Sequence, residues 1–304
     1  MTLRKHLTPS IVYKDVKDNA KRIKRRKGVE VVPMLVVEGK DDEEVFADFC
    51  KLTRDQVMCV GDRNMVEGVM REFRRELPSF LQLAGLTDCD AVGKVPDLIT
   101  DRALVVTQGC DLEADFFLIG VVERALGALN VRAPGDLAAR AMDMSVPISA
   151  LRRGAHAVEG LSMKIPSRGQ KRQFLRFARL DDQAIEACAS AEFEDALDAV
   201  SRACAELLGW SQEERSAATA ATPRDGVTFE TVGSGKDAFD ALLFLLRSSP
   251  KPNTLDDPRR VERSARQLTA TDFADWHVGR RLTSWQDATG VELLGLAVES
   301  PARR

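Results

Sequence analysis

Two short stretches of this 304-residue chain carry acids at a spacing that could do chemistry. The first is Leu35-Val36-Val37-Glu38-Gly39-Lys40-Asp41-Asp42, in which Glu38 ends an apolar, valine-rich run. The second is Leu83-Ala84-Gly85-Leu86-Thr87-Asp88-Cys89-Asp90, again an apolar run closing on acids. The period-two alternation of an extended chain puts Asp88 and Asp90 on one side, so both can face one ion. Glu38 at one strand end and Asp-x-Asp at another make an all-oxygen site suited to Mg2+, with Mn2+ as a substitute. Asp42 lies one helical turn beyond Glu38 and could turn toward the same ion. A metal held by such carboxylates polarises a phosphodiester, lowers the pKa of a bound water and neutralises a leaving oxygen. An exposed strand-end acid is the plain reading of Glu38 taken alone. Paired with Asp88 and Asp90 at a second strand end, the site reading is the stronger one.

These acids need elements to hold them, and the pattern around them alternates. A strand over 29–37 leads to a helix over 41–52, whose first turn is acidic, as the helix dipole favours. A short strand at 57–60, a helix from about 64 to 77 and a strand at 81–87 follow. A loop and a strand at 103–107 lead to a helix over 113–129. Strands separated by single helices imply parallel pairing with right-handed crossovers, and hence a small Rossmann-like sheet covered on both faces. A carboxylate at the carboxyl end of such a strand sits where open α/β sheets build their sites. The predicted fold class is therefore α/β, a small parallel-sheet domain over 29–130. A basic arm, 1–28, precedes it and a mostly helical domain, 131–304, follows, with one amphipathic helix over 182–209, a polar loop at 211–228 and a helix at 237–247.

The two acidic stretches resemble the two signatures of the toprim fold, shared by topoisomerases, bacterial primases and OLD-type nucleases. A third stretch, Val105-Val106-Thr107-Gln108-Gly109-Cys110-Asp111-Leu112-Glu113, is similar to the segment that distinguishes toprim proteins of the DUF4435 type. The resemblance spans roughly residues 30–125; Gly235-Lys236-Asp237 is similar only loosely. It implies Glu38 as metal ligand or general acid/base, and Asp88 and Asp90 as ligands. Asp111 and Glu113 become candidates for a second metal, although capping of the following helix is the plain alternative for Asp111. A topoisomerase needs a catalytic tyrosine, and the single tyrosine, Tyr13, lies in the basic arm. Primases usually carry a zinc module, and the six cysteines include no Cys-x-x-Cys. What remains is a metal-dependent nuclease, with RNA and DNA both open as substrate. No ATPase motif is visible: Glu230 and Asp237 stand where a P-loop needs glycine and Ser/Thr. The arrangement resembles the PARIS anti-phage system, whose toprim nuclease is held by a separate ABC-type ATPase and cuts host tRNA. That resemblance implies an ATPase partner chain and an active form that self-associates as a homodimer. The competing class is a non-catalytic toprim-like adaptor or regulatory nucleic-acid-binding protein.

Bulk properties bound these expectations. A net charge of −3 excludes a uniformly basic nucleic-acid binder but leaves room for local basic patches. Two such patches stand out. Between Lys14 and Lys27 eight bases face only Asp15 and Asp18, including Lys24, Arg25 and Arg26. Between Lys164 and Arg179 six bases, among them Lys164, Arg168, Lys171, Arg172 and Arg176, are interleaved with Phe174 and Phe177 and meet no acid. Each reads either as a solvated or amphipathic helix or as a phosphate-gripping surface, to which Lys40 beside Glu38 would add. Thiols without zinc spacing or a secretory signal point to the cytoplasm. No apolar run approaches the ~20 residues that span a bilayer.

Overall fold

A computed structural model describes residues 7–49, 55–89, 103–161, 163–166, 172–248, 259–266 and 269–293. They fall into two compact units. The first lies within Met1–Asp88, Val95–Thr107 and Gln267–Arg304, the second within Cys89–Lys94 and Gln108–Arg266. The fold is the expected α/β class: a four-stranded, all-parallel sheet in the first unit and a helical remainder.

In the first unit α1 (Pro9–Lys27) precedes β1 (Val32–Val37), α2 (Lys40–Phe49), β2 (Val57–Cys59), α3 (Arg63–Glu76), β3 (Leu81–Thr87) and β4 (Leu104–Val106). The sheet order is β2-β1-β3-β4, with Leu35 opposite Val57, Met34 opposite Leu83 and Gly85 opposite Leu104. Successive strands thus step to one side of β1 and then cross back to the other. Alternation divides each strand between two buried faces. Val32, Met34, Val36, Leu81, Leu83 and Leu104 join Val66, Val69, Met70 and Phe73 of α3 and Val12, Tyr13, Val16, Ala20 and Ile23 of α1 in one core. Gly85 belongs to that face because an added Cβ would stand 2.9 Å from Met70. The opposite face, with Leu35, Val37, Ala84 and Leu86, takes α2 on one side and α14 (His277–Thr289) on the other. Trp276, just ahead of α14, is fully buried and stacks on Phe46 of α2 at 5.7 Å between ring centroids.

Residues 8–28 are therefore packed on the sheet unit and do not form an arm. Within them Thr8 caps α1, Pro9 occupies its first turn, and Gly28 ends it in the left-handed region at φ +66°. Half of the eight bases between Lys14 and Lys27 pair with the unit's own acids, among them Lys17 with Glu76 at 2.5 Å, Lys24 with Glu30 at 3.7 Å, and Arg26 with Asp55 at 2.6 Å. Nor does the C-terminal half stay apart, since α13 (Ala270–Asp275) and α14 return to the sheet unit. Conversely, residues 108–130 leave it. The expected helix over 113–129 is two, α4 (Leu112–Leu118) and α5 (Val121–Ala128), broken at Gly120 with φ +73°.

The second unit continues with α6 (Pro134–Ala157), the hairpin β5 (Lys164–Pro166) and β6 (Arg172–Phe174), α7 (Asp182–Ser190), α8 (Phe193–Leu208), α9 (Gln212–Ala221), α10 (Phe229–Val232), α11 (Gly235–Ser248) and α12 (Arg259–Ala265). Three expectations are corrected there. The basic 164–179 segment is an antiparallel hairpin followed by a 3-10 turn at Phe177–Arg179, not a helix. The single helix expected over 182–209 breaks into α7 and α8, with extended backbone at Ala191 and Glu192. The polar loop at 211–228 holds α9, opened by a capping box between Ser211 and Glu214. Among the described residues no helix is long and apolar enough to cross a membrane.

Truncating Trp276 to alanine removes the largest side chain covering the α2 side of the sheet. The expected loss in denaturant unfolding, followed by far-UV circular dichroism, is about 3–5 kcal/mol. If the C-terminal helices folded apart from the sheet, the main transition would stay where it is.

Candidate functional site

The reversal of strand order around β1 fixes one place on the sheet's carboxyl edge. β2 lies on one side of β1 and β3 on the other, so a crevice opens between the ends of β1 and β3. Glu38 is the first residue beyond β1 and Asp88 the first beyond β3. The Asp88 backbone N–H donates to Glu38 Oε1 at 2.9 Å, so the glutamate carboxylate is anchored across the two strand ends. The Glu38 backbone is anchored as well. Its carbonyl accepts from Gly61 N at 3.2 Å and from the Cys59 thiol at 3.2 Å. Gly61 has φ +130°, which L side chains rarely adopt, so the turn that supplies this N–H requires glycine. Both acids are half-buried, reachable from water yet backed by the strands.

Asp42 does a different job. Its Oδ2 accepts from Gly39 N at 2.8 Å, three residues back, which is the reciprocal half of a capping box at the start of α2. Asp90 lies outside the described residues. Among the described residues no group of three or more acidic, histidine or cysteine side chains is gathered to hold a metal ion. Glu38 and Asp88 are the two described acids at these strand ends that could offer hard oxygen ligands. That number fits Mg2+, which keeps several waters and binds through one or two carboxylates plus substrate phosphates. Lys40, the first residue of α2, is exposed.

Asp111 and Glu113 sit in the second unit, where Asp111 closes a buried polar network. As the N-cap of α4 it accepts from Ala114 N at 2.8 Å, and the same oxygen accepts from Gly235 N at 2.9 Å. Its other oxygen accepts from Ser234 Oγ at 2.8 Å. One carboxylate therefore serves the first turns of both α4 and α11. Their approach is so close that a Cβ on Gly235 would stand 2.1 Å from the backbone of Glu113 and Ala114. The capping alternative is what Asp111 does. Glu113 pairs with Arg266 at 3.2 Å, but burial, reinforced by Asp111, pushes its carboxyl up to about 7.

The Gly235-Lys236-Asp237 stretch is absorbed by the same network. Asp237 is fully buried, paired with Arg152 at 2.8 Å, and accepts from Phe177 N at 2.9 Å. Arg152 also donates to the Leu175 carbonyl at 2.6 Å. Sequence reasoning passed over Arg152 and Asp115, whose carboxylate accepts from Gln108 N at 3.2 Å and Gly109 N at 2.6 Å and so pins the turn after β4. An acid a few residues beyond a glycine turn was the available signal for Asp115; for Arg152, within an alanine-rich helix, there was none.

The proposed nucleic-acid contacts divide. Lys24 and Arg26 are paired as above, and Arg25 is exposed. Arg176 is tied to Asp240 at 2.8 Å and to the Lys236 carbonyl at 2.9 Å, so it secures the hairpin base instead of standing ready for phosphate. Lys164 is exposed on β5. Arg172 lies on β6 by its backbone, and Arg168 and Lys171 lie outside the described residues. Burial pushes the thiols of Cys110 and Cys188 up to about 12, so neither is an activated nucleophile.

Two stability measurements follow. Asp237→Ala leaves the Arg152 guanidinium buried without its carboxylate, and the expected loss is about 3–5 kcal/mol in urea unfolding; a variant as stable as the parent would make the pair dispensable. Glu113 holds its proton in the folded chain at pH values where the unfolded chain, near 4.5, has released it. Folding then takes up a proton between pH 4.5 and about 7, so stability falls as pH rises through that window and levels off above it. Glu113→Gln should remove this slope, on the order of 1–3 kcal/mol across the window. Parallel stability curves for parent and variant would show that Glu113 titrates normally. In comparisons with known proteins, no protein-family model and no curated protein matches the chain.

Proposed function

We propose that this chain is a metal-dependent nuclease of toprim type that cleaves nucleic-acid phosphodiesters, with Glu38 and Asp88 at its centre and Asp90 as the third carboxylate. The observation that carries the reading is the anchoring of the Glu38 carboxylate by the Asp88 N–H, at 2.9 Å, where the strand order of a parallel sheet reverses. Bound there, Mg2+ or Mn2+ would neutralise phosphate charge and acidify a bound water. The chain's own part is to hold two carboxylates at fixed strand ends, so that little reorganisation is needed as charge develops. Glu38, with one oxygen engaged by a backbone N–H, keeps its orientation while serving as ligand or as general acid/base. Lys40 adds positive charge for a phosphate backbone.

The reading extends to the setting that the sequence resemblance implies. The nuclease is cytoplasmic, serves as the effector of an anti-phage defence, is restrained by a separate ABC-type ATPase and acts as a homodimer when released. tRNA is the first substrate to try. Asp42, Asp111 and Glu113 are not assigned to a second metal, because Asp42 and Asp111 spend their carboxylates on helix starts and Glu113 faces Arg266.

The test is incubation of purified protein with Mg2+ or Mn2+ and, separately, tRNA, single-stranded DNA and plasmid. Glu38→Gln keeps an oxygen that can accept from Asp88 N, and Asp88→Asn keeps the donating N–H, so both variants should fold. Each should lose metal-dependent cleavage while the melting temperature moves by no more than about 3 °C, a change on the order of 1 kcal/mol. Undiminished cutting by both variants places the chemistry elsewhere, and an intact parent that cuts none of the three substrates favours a binding or adaptor role.

A further inference from the structure

The β5–β6 hairpin carries a feature that the carboxylate pair does not explain. Among the exposed large apolar side chains described, Phe174 is the one aromatic, with 49% of its surface open. It stands directly opposite Lys164 in the antiparallel register, and the Lys164 ammonium lies 5.0 Å from the centre of its ring. This exposure is not slackness at a loose end. Met163 and Leu175, the neighbours of Lys164 and Phe174, are fully buried and joined by Leu175 N to the Met163 carbonyl at 2.9 Å. Arg152 holds the Leu175 carbonyl, Asp237 holds Phe177 N, and Phe177 itself is buried. The hairpin base is thus fastened to the core on both strands, and the next residue outward is a phenyl ring turned to water under a lysine. The segment from Lys164 to Arg179 holds six bases and no acid, and Arg179 is exposed as well.

An exposed ring beside flexible positive charge, on a fixed base, is the elementary unit with which proteins hold unpaired nucleotides. The base stacks on the ring and the cation meets the phosphate. We propose that the Lys164–Phe174 face of this hairpin is a stacking platform for an unpaired base, selecting single-stranded or looped nucleic acid over duplex. The proposal rests on the reading of the chain as a nucleic-acid enzyme and adds the class of substrate it grips. The ring supplies the stacking surface. Lys164, on a four-carbon stem, can leave the ring to meet the phosphate of the nucleotide that replaces it. A duplex buries its base faces in its own stack and offers the ring nothing.

The test is binding, not cleavage, measured in EDTA by fluorescence anisotropy with a labelled 12-nucleotide oligo(dT) and a 12-base-pair duplex. Phe174→Ala should weaken oligo(dT) binding by roughly tenfold or more while duplex affinity stays unchanged. Phe174→Trp should restore the affinity, and its emission, taken against the parent's own tryptophans, should be quenched on saturation with oligo(dT). If Phe174→Ala fails to fold, the quench of Phe174→Trp decides alone. The proposal is overturned if the parent does not bind oligo(dT), if Phe174→Ala binds it as tightly as the parent, if single strand and duplex weaken alike, or if the tryptophan variant shows no quench. In that event Lys164 and Phe174 pair only to stabilise the hairpin. The two readings fail separately. A parent that stacks oligo(dT) but hydrolyses nothing keeps the platform and ends the nuclease. One that hydrolyses in a Glu38-dependent way, with Phe174→Ala binding unaltered, does the reverse.

Discussion

A parallel sheet of four strands has no face it can give to water. Its strands read as continuous apolar runs, and alternate residues point to opposite sides, so each side must be covered. In this chain the requirement reaches well beyond the crossover helices. α3 covers Met34 and Val36 but leaves room beside it, which α1 fills with Val12, Val16, Ala20 and Ile23. α2 covers Leu35 and Val37 and is completed by Trp276 and α14. A basic N-terminal segment and the last helices are drawn into one unit because the sheet between them would otherwise be half solvated. The same constraint decides where chemistry can stand. Apart from half-buried Pro33 and Gln82, the residues of β1 and β3 are buried, so a carboxylate finds water at the first residue past each strand. Those residues are Glu38 and Asp88.

The second unit meets a different demand. Helix starts leave N–H groups without partners, and burying them requires acceptors. Asp111 answers for two helices at once, and Asp237 for the chain at Phe177 and for Arg152. Gly235 follows from this arrangement, since any side chain there would collide with the backbone of α4. A glycine-lysine-aspartate stretch that looks like part of a phosphate loop is therefore explained by the packing of helix starts. Its aspartate is occupied by a guanidinium and a backbone N–H.

Much of this was legible in sequence, for reasons that mark the limits of such reading. The strands at 81–87 and around 104–106, the helices near 64–77 and 237–247, and the edge on which Glu38 and Asp88 meet all follow from local periodicity and from Gly and Pro punctuation. The hairpin at 164–174 was not legible. Two three-residue strands are too short to display alternation, and the interleaved phenylalanines of 174 and 177 imitate helical spacing. One of those rings is exposed and the other buried, a difference that only the tertiary anchoring of Phe177 creates. The return of α13 and α14 to the sheet was equally hidden, because the residues that bind them, Phe46 and Trp276, lie 230 positions apart in sequence. Linear order invites a boundary near 130, whereas the contacts place it after Thr107 and again after Arg266.

The acids themselves show why residue type and offset underdetermine role. Asp42 and Asp111 each follow an apolar strand by a few residues, as a ligand would, and each also begins a helix, as a cap would. What separates the possibilities is the partner. Both accept N–H groups from the first turn of a helix or from its cap residue, so their charge is spent on a helix start. Asp88 takes part in the opposite sense: its backbone donates, and the acceptor is a second carboxylate on the neighbouring strand. A bond of that kind ends no helix and satisfies no orphaned carbonyl. Its effect is to hold the Glu38 carboxylate against the backbone at the end of β3, where the strand order opens a crevice.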